Sequence, residues 1–559
     1  MREKYSYNII LLGGTGAKCG EIFVHMCANG YLNCEKVNIL YIDSDRENGN
    51  ARNLNRLLDL YTKCRTQYRI HESPIDYFFK PKIQFREANP VPKNIKFFSD
   101  LTNSGGDVAT SAKALMEVLY SEEEINMEIE KGFFAHPNVG AAVFAANMEN
   151  IISEFLNDVT LDKKDMKHIK IFLLGSIFGG TGAASFPTIA KYLRKKLYGD
   201  SDNKLIAEQL KIGGCMVLPY FLFSREKMDD KSKQGISVEA DKFATKTRSA
   251  LEYYKYLEEK SEYSLFDGLY IVGHDAYDIR GYYATAGNYQ RNLPHITELY
   301  AAMAAVTFFE KPLEDTGHYF ATVSKDKIGW NDIYKKNDGY FSFFVMMRFA
   351  IVMKSLILEE LFDYTQGNKL KKKAPLIPWY YDFLNGKAKS SDMDPQKLYS
   401  KFEAISFYCD EYIRWFTELN IANIDIIEDL NKIDYSKESG DLVEYLSMFT
   451  KELLMKQYQN NQICNDAVLK NDKGFQSLYK ENLKYIREEF KKLEQVHEYT
   501  DLKTEQIGMD EIWRRLCNSG FSTYVLNDDV FKNIVRSNDK SMDSGVRNLI
   551  NAIYCACLI

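Results

Sequence analysis

The first half of the chain alternates short apolar, β-branched runs with stretches of helical spacing. Residues 7–12 (YNIILL), 37–42, 169–174 (IKIFLL), 215–223 (CMVLPYFLF) and 268–272 (GLYIV) predict strands, and residues 20–28 and 188–198 predict helices. Strands apolar at nearly every position are covered on both faces. Their alternation with helices predicts an α/β fold, a mostly parallel sheet with helices on both faces. Between Thr62 and Asn94 the pattern dissolves into aromatic and proline-containing sequence (YFFKPKIQF, ANPVPKN), which reads as an insertion or long loop near 62–94.

From about Tyr340 strand signals thin out and helical spacing takes over, at residues 343–362, 401–418, 442–457 and 475–496. In the last of these Leu483, Ile486, Phe490 and Leu493 form one apolar stripe, read as internal packing before a partner helix. The texture predicts an α/β domain over 1–312 and a mainly helical domain over 313–559. The apolar segment 340–353 is interrupted by Arg348 and followed by Lys354, so it predicts a buried helix and no membrane span. The terminal Cys555-Ala-Cys557-Leu-Ile559 reads as a buried apolar tail.

Composition narrows the class. The chain has 559 residues, 45% hydrophobic and 27% charged, which excludes a disordered chain. Against 72 basic residues stand 78 acidic ones, a balance too mild to steer the whole chain onto nucleic acid or an anionic membrane. Ten cysteines without Cys-x-x-Cys spacing predict reduced thiols, and the first residues lack a signal peptide, so a cytoplasmic protein is expected. Eight scattered histidines, with no His-Glu-x-x-His, argue against a zinc hydrolase. The Gly-Lys-Ser/Thr ending of a P-loop is also missing.

The candidate chemistry lies in two glycine-rich turns. Gly13-Gly14-Thr15-Gly16-Ala17-Lys18-Cys19-Gly20 follows the first strand and opens a helix, an arrangement that aims free backbone N–H groups and a positive dipole end at a phosphate. Such a turn also serves dinucleotide folds or plain tight packing. Asp43-Ser44-Asp45 ends the second strand, where carboxylates can bond a ribose, hold a hydrated magnesium ion or cap the next helix. A second turn, Gly175-Ser176-Ile177-Phe178-Gly179-Gly180-Thr181-Gly182, again follows an apolar strand and again opens a helix, with Pro187 expected in its first turn. Two turns on one sheet can grip one polyphosphate from both sides.

The run Gly179-Gly180-Thr181-Gly182, then Pro187 and Ile189-Ala190, resembles the signature loop of the tubulin family in its bacterial FtsZ form. Upstream, Ala135-His136-Pro137-Asn138-Val139-Gly140 is similar to that family's γ-phosphate loop, ANPxxG; residues 13–20 resemble its first nucleotide loop, and Asp43-Ser44-Asp45 its Asn-Thr-Asp. All four stand in the family's order, over about residues 1–310. The resemblance implies binding of GTP or GDP, with magnesium carried by the nucleotide. Gly13, Gly14, Thr15, Gly16, Lys18, Cys19 and Gly20 would hold the α- and β-phosphates. Gly179, Gly180, Thr181 and Gly182 would close from the other side, Asn138 and Gly140 would meet the terminal phosphate, and Asp43 and Asp45 would border it. Ribose contacts would fall near Pro219 and in residues 239–248. The long helix would be 288–310, with Asn292, or alternatively Asn288, reading the guanine edge; Asn292 fits a helix cap as well. Head-to-tail self-association is implied, and the helical half could dock a partner protein.

The sequence departs from the family at Phe178, Ala184 and His136. The family's hydrolytic Asn-x-Asp motif is not reproduced; Glu310, Glu314, Asp315 and Asp332 are the acidic candidates, each read as an ordinary solvated charge before a catalytic one, so hydrolysis stays open. Two other readings remain: an NAD(P)-dependent oxidoreductase with a Rossmann-type domain, and a non-hydrolysing nucleotide-binding scaffold that recruits a partner through its helical half.

Overall fold

The computed structural model describes residues 6–32, 34–69, 78–102, 107–133, 136–161, 169–198, 210–222, 243–260, 264–273, 278–279, 294–310, 395–422 and 541–558, together with Phe343, Met346, Met347, Phe349, Ala350 and Met353. The chain forms two compact units. The first comprises residues 1–23, 34–56 and 81–326; the second comprises 24–33, 57–80 and 327–559.

The first unit is built on a six-stranded sheet. In chain order its elements are β1 (Ser6–Leu12), α1 (Gly13–Ala28, counted with the second unit from Val24), β2 (Lys36–Ile42), α2 (Gly49–Tyr68, counted with the second unit from Leu57), β3 (Lys82–Ala88), α3 (Asp107–Leu119), the single turn α4 (Glu122–Ile125) and α5 (Pro137–Leu161). Then follow β4 (Ile169–Ser176), α6 (Thr181–Tyr198), β5 (Leu210–Val217), β6 (Phe221–Leu222), α7 (Phe243–Lys260), β7 (Gly268–Val272), β8 (Asp278–Ile279) and α8 (Ile296–Glu310). The strand order is β3-β2-β1-β4-β5-β7, and every neighbouring pair is parallel. β6 and β8 pair separately, also in parallel. Every residue of β1 and β4 is buried, as continuous apolar strands require.

Side-chain alternation sorts the two faces. Ile10, Leu12, Ile171 and Leu173 join one core with Val143 and Phe144 of α5, Phe186 and Ile189 of α6, and Tyr254 of α7. On the other face Tyr7 stacks on Phe309 of α8 at 4.3 Å between ring centroids, and Phe172 meets Phe308 at 5.5 Å. Lys170, at the start of β4, donates to the carbonyls of Phe308 and Phe309, each at 2.9 Å, and so closes the C-terminus of α8. Burial pushes this lysine down to about 8.

The structure corrects three local expectations. Residues 82–88 are not part of an insertion: β3 pairs with β2 along its length, from Lys36 opposite Lys82 to Ile42 opposite Ala88. As an edge strand it is only half covered, so its sequence (KIQFREA) lacks the continuous apolar run that marks the inner strands. Residues 62–68 likewise belong to α2. Second, the first glycine-rich segment is helix rather than loop, because α1 starts at Gly13. Its glycines serve packing: a Cβ on Gly20 would stand 2.6 Å from Leu11 Cδ1 and 2.9 Å from Leu54 Cδ2. Third, α6 starts at Thr181, which puts Pro187 in the second turn. Proline there leaves the Ala183 carbonyl without its helical donor, and the Tyr254 hydroxyl reaches that oxygen at 3.5 Å.

The described part of the second unit beyond residue 327 is helical, with α9 (Pro395–Ser400), α10 (Glu403–Ala422) and α11 (Met542–Leu558), the last holding the Cys555-Ala-Cys557 tail. The expected helix at 401–418 is α10, and the described positions of 340–353 are buried. Tyr408, Tyr412 and Trp415 of α10 surround the buried His25, whose Nδ1 lies 3.1 Å from the Tyr408 hydroxyl. Burial, then the charge of Arg414, holds His25 well below the usual imidazole range. Asn551 donates to the Tyr68 carbonyl at 2.7 Å, and Tyr554 to that of Asn29 at 3.1 Å. The expected helices at 442–457 and 475–496 lie outside the described residues, as does most of 343–362.

Candidate functional site

The chain leaves β1 and β4, which lie side by side, toward opposite ends of the sheet: β2 and β3 flank β1, and β5 and β7 flank β4. Where strand order reverses in this way, the turns after the two strands separate and leave a crevice at the carboxyl edge, the usual ligand position in an open α/β sheet. Both glycine-rich segments leave the sheet at this point, with Leu12 and Gly175 opposite each other in register.

The two segments touch. Gly13 has φ +69°, a left-handed conformation, and a Cβ built on it would lie 3.4 Å from Thr181 Cβ and 3.7 Å from Gly182 N. Gly182 is tighter still, since its Cβ would fall 2.2 Å from the Ser176 carbonyl oxygen. Helices α1 and α6 therefore start beside each other, and their first-turn N–H groups are available to an anion. Gly14, Thr15, Gly179 and Gly180 are half-buried and form the accessible rims of the turns, whereas Gly16, Lys18, Cys19 and Gly20 are buried.

Several side chains expected at a ligand are committed to the protein. Lys18 forms a buried ion pair with Glu298, in the first turn of α8. Glu298 also accepts from the Tyr220 hydroxyl and, at 2.9 Å, from the His295 backbone N–H. Tyr220 is hydrogen-bonded to Thr15 as well. One carboxylate thus ties α1, the end of β5 and α8 together. Burial first, and the charge of Glu298 second, push the Cys19 thiol far above its ordinary range, leaving it neutral and inert.

Asp43 is similarly occupied. Its Oδ1 accepts from Thr181 Oγ1 at 2.9 Å and from Asp45 N at 3.4 Å, and its Oδ2 from the Tyr41 hydroxyl at 2.9 Å and Asn48 Nδ2 at 3.1 Å. Those bonds use the acceptor positions of a carboxylate. Asp43 therefore does not fit the role of a direct magnesium or ribose ligand; it fastens the second strand to the second glycine turn. Burial, then the charge of Asp45, raises it to about 6, against the hydrogen bonds of Thr181 and Tyr41. Asp45 accepts from Glu47 N at 3.0 Å, as a turn former does.

A cleft of about 440 Å³ adjoins the second turn, lined by Asn138 and Ala141 of α5, Phe178 and Gly179 of the turn, Pro187 and Thr188 of α6, and Thr245, Ser249 and Tyr253 of α7. Of the residues picked from sequence, Asn138 and Gly179 line it together. Gly140 is buried where α5 meets α6, its absent Cβ leaving room for Ala184 and Phe133. Just before α5, Glu124 accepts from Asn138 Nδ2 at 2.7 Å and lies 3.1 Å from His136 Nδ1. Partial burial acts to raise Glu124, but hydrogen bonds from Asn138, Ser121 and His136 outweigh it and hold the carboxyl below its usual range. The Lys18–Glu298 and Tyr220–Glu298 contacts carry no local sequence signal because the partners are distant along the chain; Glu124 closes a Ser-x-x-Glu capping-box spacing with Ser121, a signal for a helix start that does not announce the contacts with His136 and Asn138.

Asn288, Asn292, Glu239, Glu314, Asp315 and Asp332 lie outside the described residues. Glu310 ends α8 beside the Lys170 contacts, at the amino edge of the sheet and opposite to the glycine turns. Arg248 points to solvent and pairs with Glu252 at 3.0 Å. Among the described residues there is no cluster of three potential metal ligands, and no helix is long and apolar enough to cross a membrane. Residues 9–245 match the family model described as tubulin like. No curated protein matches the chain.

Proposed function

From the premise that residues 9–245 belong to the tubulin-like family, we propose that this chain binds a guanine nucleotide, GTP or GDP, in the crevice between β1 and β4. The observation that carries the reading is the meeting of two glycine-rich helix starts, with Gly13 packed on Thr181 and Gly182. Backbone N–H groups of residues 13–16 and 179–182 hold the phosphates, helped by two helix dipoles, and the first turn of α5, from Asn138 to Gly140, faces the terminal phosphate. Lys18, Cys19, Asp43 and Thr181 support these turns from behind. Magnesium arrives with the nucleotide and its own waters, because Asp43 has no oxygen to spare.

The protein associates head to tail with nucleotide at the junction, a heterologous contact that grows a filament if it does not close. It works in the cytoplasm, where buried thiols such as Cys19, Cys27, Cys34 and Cys64 stay reduced. Glu310, at the opposite edge of the sheet, acts on a neighbouring copy's nucleotide or not at all. The helical half recruits a protein partner.

Chromatography of the nucleotide released on denaturing the purified protein tests the reading. GTP or GDP should emerge from the wild type and fall sharply in Gly179→Val, whose Cβ has only the Ser176 hydroxyl nearby, at 3.2 Å. Release of NAD(P) instead would establish the oxidoreductase reading. Light scattering that rises on adding GTP supports assembly; bound nucleotide without such a rise favours the scaffold.

A further inference from the structure

The entry to α5 carries a device that neither glycine turn explains. Glu124 lies in α4, whose N-cap Ser121 forms a reciprocal capping box with it: Ser121 Oγ accepts from Glu124 N at 3.3 Å, and Glu124 Oε2 accepts from Ser121 N at 3.0 Å. The other carboxylate oxygen grips two residues across a gap in sequence, accepting from Asn138 Nδ2 at 2.7 Å and standing 3.1 Å from His136 Nδ1. Pro137, between them, is the first residue of α5, where its fixed φ suits a helix start. From the next turn, Gly140 lets α5 press on Ala184 of α6; a Cβ there would come within 2.6 Å of Ala184 Cβ. The start of α5 is therefore held on one side by a carboxylate and on the other by the helix that follows the second glycine turn.

That start lines the same cleft as Gly179. The side-chain amide of Asn138 is engaged by Glu124, Pro137 has no N–H and Gly140 N donates to the His136 carbonyl at 3.2 Å, so α5 meets an anion in the cleft chiefly through the backbone N–H groups of Asn138 and Val139, whose aim depends on how the turn is held. We propose that Glu124 is a positioning residue for the terminal phosphate: by holding His136 and Asn138 it sets the first turn of α5 where it distinguishes a nucleoside triphosphate from a diphosphate. The inference rests on the guanine-nucleotide reading above. Hydrogen bonds from Asn138 and Ser121, with the positive end of α5, offset the charge that this carboxylate brings near a phosphate.

The test titrates fluorescent N-methylanthraniloyl GTP and GDP into the full-length chain by anisotropy, with circular dichroism to check folding. Glu124→Ala should lower the preference for triphosphate over diphosphate about tenfold, the loss falling on GTP while GDP affinity stays within about twofold. Glu124→Gln, whose amide oxygen still accepts from Asn138, should restore the preference to within about threefold of wild type. Asn138→Ala removes the same bond from the other side and should reproduce the loss, which keeps the proposal testable if Glu124→Ala does not fold. Glu122→Ala, on the exposed face of the same turn, should change nothing. Equal weakening of both nucleotides, an unchanged ratio, a gain in GTP affinity, or a wild type without preference would each overturn the proposal while leaving nucleotide binding intact. A wild type that binds neither nucleotide would defeat the guanine reading itself, and this inference with it.

Discussion

The two glycine-rich segments flank one crevice, yet they require glycine for different reasons. In the first, Gly13 supplies a left-handed backbone at the strand-to-helix junction, while Gly20 lets α1 settle onto Leu11 and Leu54. In the second no glycine has positive φ among the described residues; what matters is the Ser176 carbonyl 2.2 Å from where a Gly182 Cβ would be. The first segment spends its glycines on conformation and helix packing, and the second on a backbone that folds over itself. Glycine count alone does not tell phosphate chemistry from packing, and each position must be judged by what surrounds it.

Substitutions can break this contrast. Gly182→Ala should be the most damaging, because the obstacle is backbone rather than a flexible side chain; we expect a loss of about 3 kcal/mol, read from the midpoint of urea unfolding. Gly13→Ala has space for its methyl group, so only the left-handed φ opposes it, and about 1–2 kcal/mol should be lost in the same assay. Asn at this position should cost less than Ala, which a purely steric explanation would not produce.

Asp43 sharpens the comparison through pH. Its folded pKa of about 6 lies above the ordinary 3.8, so the folded state binds a proton that the unfolded state releases. Its contribution is fully present below the unfolded value and is lost as pH rises through about 6. Wild type minus Asp43→Asn should therefore gain stability as pH is lowered from 7 toward 4, by about 2 kcal/mol. A flat difference across that range would show that Asp43 titrates normally. Gly179→Ala should be the mildest change, under about 0.5 kcal/mol by urea unfolding, since its methyl would meet only a hydroxyl that can turn away.

Much of the scaffold is legible in the chain. Five of the six strands of the main sheet declare themselves as apolar runs, and both helix-opening turns declare themselves by glycine after a strand. β3 does not, because none of its residues is buried and polar side chains fill most of its positions, whereas β7, at the other edge, is covered and stays apolar. Helix starts are misjudged at both turns for one reason: glycine and proline lower helix propensity locally, and packing against the sheet overrides it. The pairings that shape the site are hidden for another. Lys18 and Glu298 are 280 positions apart, and Thr181 and Asp43 are 138 apart, so no local pattern joins them. Lys18 in a glycine-rich turn reads as a phosphate ligand, and only the fold reveals that its charge is already answered.

That answered charge has a consequence for how an anion would be drawn to the first turn. With the ammonium of Lys18 cancelled by Glu298 in the interior, attraction there comes from aligned peptide groups, whose pull fades within a turn of helix. Capture at this turn is a matter of fit at contact rather than long-range steering.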